Sequence, residues 1–363
     1  MADPTSGLPD PVAELLLRWA RHEGVVSDAD GERRLAAMRL EVLAGGALPH
    51  STAADVALTA QWAAFICWVD DEIDRRGMGT QAGDLEGFTA PLRRVLTAGG
   101  EPATPGRHAG VLTQLLERTD PGQRGQWRKR FAAHYTDFLD ATEEEVALRR
   151  AGTHLSPAAY VKLRRRTITV LPMLDVLERT GHTALVEDPG VDTELTDLRL
   201  AAADIAGWAN DLASEADDQA VGQDNLVTVL ARHNRSSADT ARPRVAAMIQ
   251  HRHTILTTTA SSLRAVRGLP QDRREELRRY VDLVERFTAA TLHWLAVTGR
   301  FAPDPVTGPN PSMQQHPTAP SPGPATPLGR VVSGGRDAAQ VSSAEPMPQP
   351  MPDTTPPGLA LGR

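Results

Sequence analysis

Four carboxylates fall within five residues in the stretch Trp68-Val69-Asp70-Asp71-Glu72-Ile73-Asp74. Asp70 and Asp74 are four apart, so on a helix they share one face. Followed toward the N-terminus, that face meets Ile66, Cys67 and Ala63, so an apolar stripe ends in paired carboxylates. Hard oxygen ligands of this kind suit Mg²⁺, which takes one or two carboxylates and leaves the rest of its shell to water and phosphate. The same residues also fit a solvated helix end, with Asp74 and Arg75 as ordinary surface charges. A second pattern is Asn210-Asp211-Leu212-Ala213-Ser214-Glu215-Ala216-Asp217-Asp218. Asn210, Ser214 and Asp218 stand at i, i+4 and i+8, on one helical face, and each offers an oxygen. Two neutral donors and one charged donor suit a divalent ion shared with a diphosphate. A polar surface stripe would read the same way.

Both patterns need helices to position them, and the periodicity supplies these. The Ala-rich stretch Thr52 to Arg76 stops at Gly77. Ser156-Pro157 offers an N-cap followed by proline at the first helical position, opening a helix through Tyr160 and Arg164. Further helices are predicted from about Thr196 past Asp217 and from about Gln271 to Thr298. Alternation of β-branched residues is scarce. The expected fold is all-α, a single-domain bundle of about ten helices over residues 10–301. Residues 1–9 read as a flexible N-terminus. From Pro303 to Arg363 the chain is rich in Pro, Ser, Thr, Gln and Gly and has no aromatic residue, so 302–363 is expected to be a disordered tail.

A formal net charge of -7 argues against a nucleic-acid binder, and an anionic substrate would then need metal cations or a local Arg cluster. One cysteine, Cys67, excludes an internal disulfide, and no Cys/His cluster has zinc spacing. The polar, Pro-rich start carries neither a leader pattern nor a membrane span, which predicts a cytoplasmic protein. The sequon Asn234-Arg235-Ser236 has no meaning there. No G-x-S-x-G, H-E-x-x-H, P-loop or Rossmann glycine pattern is present, so a classical hydrolase or a dehydrogenase is not expected.

Taken together, the two oxygen-rich patterns resemble the aspartate-rich and the Asn/Ser/Glu metal-binding motifs of bacterial class I terpene synthases. Gly222, Asn225-Leu226-Val227 and Val229-Leu230 follow with that family's spacing. The resemblance extends from about Pro11, through Trp19 and His22-Glu23-Gly24, to Phe301. It implies a class I terpenoid synthase bundle in which three Mg²⁺ bridge both motifs to an isoprenyl diphosphate. Asp70, with Asp71 and Asp74, would supply one ligand set, and Asn210, Ser214 and Asp218 the other. Tyr160-Val161-Lys162-Leu163-Arg164-Arg165 looks like the diphosphate-sensor segment, and Arg164 precedes Asn210 by 46 residues, the family spacing. Arginine suits that role because its fork stays charged and bonds phosphate oxygens bidentately. Trp294 to Phe301 resembles the family's C-terminal end, where an Arg-Tyr pair follows a Trp. Arg300 would then bind diphosphate, and Trp294 would face the pocket.

The resemblance implies ionisation of the diphosphate and cyclisation of the resulting cation, with farnesyl diphosphate the favoured substrate and geranylgeranyl diphosphate next. A homodimer is also an expectation from the family. Aromatic faces can stabilise such cations, but aromatic residues are only 4% of this chain. Trp294 is the favoured face and Phe65 a weaker one. Trp62 stays open, Trp208 is assigned to helix packing, and Cys67 to the pocket wall. The sequence departs from the family at Asp217, usually Lys or Arg, at Asp218, usually Glu, and at Phe301, usually Tyr. Thr167, Ile168 and Thr169 occupy a region where the family often has a glycine whose carbonyl takes part in ionisation. No departure removes a metal ligand. Two other readings stand beside this one. An isoprenyl diphosphate synthase would carry a second aspartate-rich motif where the Asn210 pattern stands. A silent helical protein would act through its Pro-rich tail.

Overall fold

Side-chain caps and proline positions set where the helices begin. Asp10 accepts a hydrogen bond from the Val12 amide at 2.8 Å, and Pro11 opens the first helix. Ser156 caps the helix that Pro157 opens, its hydroxyl accepting from the Ala159 amide at 3.3 Å. Asn225 caps another through a capping box with Thr228. The computed structural model describes residues 10–75, 84–97, 106–121, 125–220 and 222–301. These residues form thirteen α-helices and no strand. In chain order they are α1 (Pro11–His22), α2 (Ala29–Ala37), α3 (Leu40–Ala47), α4 (Ala53–Arg75), α5 (Asp84–Thr97), α6 (Arg107–Thr119) and α7 (Gln126–Arg150). They continue as α8 (Pro157–Thr167), α9 (Val170–Thr180), α10 (Asp192–Ala220), α11 (Leu226–His233), α12 (Ala238–Ala265) and α13 (Gln271–Val297). All described residues belong to one unit, Met1–Gln315. The stop at Gly77, the flexible start and the tail predicted above lie outside the described residues. No described helix is long and apolar enough to cross a membrane.

The all-α prediction holds, with thirteen helices among the described residues against about ten expected, and apolar periodicity leaves at least two of the breaks unmarked. Arg39 (φ 54°) separates α2 from α3, and Thr169 (φ 59°) separates α8 from α9. Both are non-glycine residues in the left-handed region, a conformation costing about 1–2 kcal/mol that the surrounding packing must offset.

α4 runs through the core, with Trp62, Phe65 and Val69 fully buried, and packs against α1, α3, α6 and α9. Between α4 and α7 lies an aromatic seam. Trp62 meets Phe131 edge-on at 5.0 Å, Phe65 stacks on Tyr135 at 6.3 Å, and Trp127, Phe131 and Tyr135 stack along α7. α10 carries a buried small-residue run, Ala201, Ala202, Ala203 and Ala206, on which α12 and α13 close. A smaller apolar cluster joins α8, α10, α11 and α12 around Tyr160, Trp208 and Leu230. The assignment of Trp208 to packing therefore agrees with the structure.

Candidate active site

α3, α4, α7, α8, α9, α10 and α13 surround a cleft of about 830 Å³, counted out to its open mouth. Helix register divides its lining. On α4, Ala63, Ile66, Cys67 and Asp70 recur at helical spacing, so an apolar stripe rises to one carboxylate. On α10, Ala206 stands one turn before Asn210, and on α13 Phe287, Thr291 and Trp294 lead toward Arg300. The polar ends of these stripes, together with Arg164 of α8, gather at one end of an otherwise apolar wall. Asp70, Asn210, Arg164, Arg300 and Trp294 thus line one cleft.

Arg164 is anchored from three sides. Its Nε donates to Asp211 Oδ1 at 2.9 Å, one terminal nitrogen to Asn210 Oδ1 at 2.7 Å, and the other to Thr167 Oγ1 at 3.4 Å. Burial opposes its charge, but Asp211, Tyr160, Glu145 and Asp218 outweigh that and raise its pKa. Asp211 is 1% exposed. It also accepts from Tyr160 Oη at 2.9 Å and from the Leu226 amide at 3.1 Å. The basic run Arg164-Arg165-Arg166 is split by helical rotation. Arg165 grips Asp204 with two bonds of 2.7 and 2.8 Å, and Arg166 reaches Asp137 and Glu144 on α7.

Arg300 donates to Asp70 Oδ2 at 3.1 Å and to Asp71 Oδ1 at 2.9 Å through one nitrogen. Its other terminal nitrogen is buried and has no partner among the described residues. Its guanidinium stands 6.0 Å from the Phe301 ring, so that ring keeps a cation–π contact though it lacks a tyrosine hydroxyl. Burial raises the Asp70 pKa, Arg300 lowers it, and Asp71, Arg164 and Asp218 contribute less. The Asp70 side chain is 52% exposed, so cleft water offsets part of that burial. Asp218 on α10 is therefore within electrostatic reach of Asp70 on α4. Asp217 is exposed, and its pKa is raised by burial and by Asp218, with Arg300 opposing.

Ser214 and Asp218 continue the Asn210 face along α10. The Ser214 hydroxyl lies 3.0 Å from Asn210 O and 2.7 Å from Asp218 Oδ2, and can donate to either. Asn225 is fully buried and donates to Asp218 Oδ2 and to the Asp211 carbonyl, both at 2.7 Å. Its cap on α11 thus also fixes the second oxygen set. The Asp74 side chain lies outside the described residues. Among the described residues, no three His, Cys, Asp or Glu side chains converge as a metal cage. The donors present are instead hard oxygens on two facing helices, three of them carboxylates and two neutral. With Arg164 bonded to Asn210 and Arg300 to Asp70 and Asp71, they fit a divalent cation that shares its shell with a phosphate.

Several of these residues escaped sequence reasoning. Asp211 points about 100° away from Asn210, toward α8. Glu145 of α7 lies among Arg164, Arg149, Asp70 and Asp211, and burial foremost pushes its pKa up to about 7. Phe138 and Phe287 line the cleft. Phe287 precedes Trp294 by seven residues, a same-face spacing that could have revealed it. Trp62 and Phe65 lie in the aromatic seam instead, and Trp62 donates to Thr119 Oγ1 at 2.8 Å. Cys67 is a wall residue, its thiol pKa pushed by burial to about 11. The indole nitrogen of Trp294 is tied to Met38 O at 2.6 Å.

The sequence profile described as terpene synthase family 2, C-terminal metal binding, matches residues 61–254. Pristinol synthase of Streptomyces pristinaespiralis is 27% identical over 293 residues, covering 78% of this chain and 78% of that protein. (-)-beta-Caryophyllene synthase ((2E,6E)-farnesyl diphosphate cyclizing) of Saccharothrix espanaensis is 29% identical over 238 residues, covering 65% of this chain and 67% of that protein. The solved structure of linalool/nerolidol synthase from Streptomyces clavuligerus, in complex with 2-fluorogeranyl diphosphate, superposes with a TM-score of 0.70 at 25% identity. It covers 79% of this chain and 99% of its own. The matched profile spans over half of the chain and runs from the helix of Asp70 through the face of Asn210, Ser214 and Asp218, so the chain belongs to the class I terpene synthases, a family of lyases.

Proposed function

We propose that the protein ionises a linear isoprenyl diphosphate in a Mg²⁺-dependent reaction and cyclises the cation, with farnesyl diphosphate as its substrate and a C20 diphosphate as the next candidate. One observation carries this reading: two oxygen-donor faces and two arginines meet at the polar end of an apolar cleft. The name of the Saccharothrix relative supports the C15 substrate. The neutral donors Asn210 and Ser214 favour cyclisation over chain elongation, which uses two aspartate-rich motifs.

Asp70, Asp71 and Asp74 on one side, and Asn210, Ser214 and Asp218 on the other, would hold the metal, three ions by family resemblance. When bound, Mg²⁺ supplies Lewis-acid stabilisation of the departing diphosphate. Arg164, held in orientation by Asp211 and Thr167, offers a charged fork at the same point, and Arg300, bonded to Asp70 and Asp71, brings a second guanidinium to the same cleft. The carbon–oxygen bond breaks with both electrons leaving on diphosphate, and an allylic cation remains in the cleft. Phe138, Phe287 and Trp294 present the aromatic faces there, and the apolar walls exclude water that would quench the cation.

Product analysis by gas chromatography and mass spectrometry tests this. Purified protein is incubated with C10, C15 and C20 diphosphates, with and without Mg²⁺, beside Asp70→Ala and Asn210→Ala. A cyclic product from the C15 substrate, lost without Mg²⁺ and in both variants, is expected. Folded protein that forms no product from any of the three would overturn the reading.

A further inference from the structure

Arg300 lies past the end of α13, and what fixes it is a joint far away in the sequence. α2 ends at Ala37 and α3 begins at Leu40, with Arg39 between them in the left-handed region. Two carbonyls at this break receive the end of α13. Met38 O accepts from Trp294 Nε1 at 2.6 Å and from Thr298 Oγ1 at 2.9 Å. Ala37 O accepts from the Gly299 amide at 2.7 Å. The Arg300 amide then donates to Thr298 Oγ1 at 3.2 Å. A single hydroxyl thus donates to a carbonyl of the joint and accepts from the backbone of the arginine.

We propose that Thr298 is the positioning residue for Arg300, carrying the placement of the α2–α3 joint into the backbone from which the guanidinium reaches the cleft. The proposal rests on the reading of Arg300 as a diphosphate ligand. A planar fork bonds phosphate oxygens only within a narrow range of angles, so a small shift of its backbone loses the contact. Arg300 follows the last helical residue by three positions, and the hydroxyl supplies the fixed point that the helix no longer provides. Gly299 constrains the arm from the other side. A Cβ there would stand 3.2 Å from Ala37 O and 3.3 Å from Ala37 Cβ, so the arm or Ala37 would have to shift by a few tenths of an ångström.

Thr298→Val makes a clean test, because it keeps shape while removing both hydrogen bonds, and Met38 O still has the Trp294 indole as donor. The full chain is titrated calorimetrically with inorganic diphosphate in excess MgCl₂, as wild type, Thr298→Val, Thr298→Ser and Arg300→Gln, and each variant is melted. Thr298→Val should weaken diphosphate binding about five- to tenfold with a near wild-type melt. Thr298→Ser, which keeps the hydroxyl, should bind within about twofold of wild type. Thr298→Val binding like wild type while Arg300→Gln binds weakly would overturn the positioning role and leave Arg300 in the site. Arg300→Gln binding like wild type would overturn the underlying reading and the proposal with it. Should Thr298→Val fail to fold, Gly299→Ala decides by the same titration: weaker binding supports the joint, and unchanged binding removes it.

Discussion

Asp211→Asn replaces a carboxylate by an amide of the same shape, at a site where the surroundings decide the cost. Oδ1 accepts from Arg164, and Oδ2 accepts from Tyr160 and from the Leu226 amide. An asparagine has one oxygen and one NH₂ to put in their place. With its oxygen toward Tyr160 and Leu226, the NH₂ faces the Arg164 guanidinium, donor against donor. Turned round, the NH₂ can donate to the Tyr160 hydroxyl, but the Leu226 amide is left facing a donor. In either orientation one buried donor loses its partner, costing about 1–3 kcal/mol. Arg164, 14% exposed, also loses its closest counter-charge. Breaking a buried pair this way costs about 3–5 kcal/mol in all. For a domain of this size about 1 kcal/mol shifts the melting temperature by roughly 2 °C, so the expected loss is about 6–10 °C. Differential scanning calorimetry of both proteins in one buffer measures it. A melting temperature within about 2 °C of wild type would refute the claim that Asp211 is the structural counter-ion of Arg164.

The remaining expectations concern charge, cleft shape and the tail. Burial raises the Glu145 pKa to about 7, with Arg164 and Arg149 opposing and Asp70 and Asp211 reinforcing, and Gln223 lies within 3.5 Å. Its folded pKa therefore exceeds its unfolded value, so its contribution is complete in acid and is lost as pH rises through about 7. The stability advantage of Glu145→Gln over wild type should widen between about pH 5 and about pH 8, and a constant difference across thermal melts would contradict this. Phe287→Ala removes a buried ring from the cleft wall, and should cost about 3 kcal/mol in urea unfolding while shifting the product mixture toward less cyclised species. An unchanged product profile would exclude Phe287 from shaping the cation's path. Removing residues 306–363, which lie beyond the segment that resembles the family, should leave turnover within about twofold, and a folded but slow truncated enzyme would show otherwise.

What the sequence disclosed was local. Ser156 and Pro157 announce the start of α8 because a cap needs only its own next three residues. Asn210, Ser214 and Asp218 could be seen as one face because helical spacing alone aligns them. The helix breaks at Arg39 and Thr169 were hidden, since neither residue type favours a positive φ and tertiary packing imposes it. The role of Asn225 depends on Asp211 and Asp218 a turn of chain away, and that of Met38 on residues some 260 positions later, as in the Thr298 bond. No periodicity announces the first pairs, which form across the chain reversal between α10 and α11, and no window of sequence contains the last. Phe138 was missed because the cleft, which alone distinguishes it from Phe131 in the seam, exists only after the helices close around it.

Rings locked in an asymmetric seam absorb left and right circularly polarised near-ultraviolet light unequally, and the strength of that signal follows how rigidly they are held. Trp62, Phe65, Phe131, Tyr135 and Phe138 form one connected array, drawn from a chain with only six Phe, six Trp and three Tyr. Trp68 joins it through Phe65 and stacks on His108 at 3.8 Å, two residues before Asp70 on the same helix. The chain therefore carries its own optical reporter beside the carboxylate-rich end of α4, and movement of that end can be followed in solution without any label.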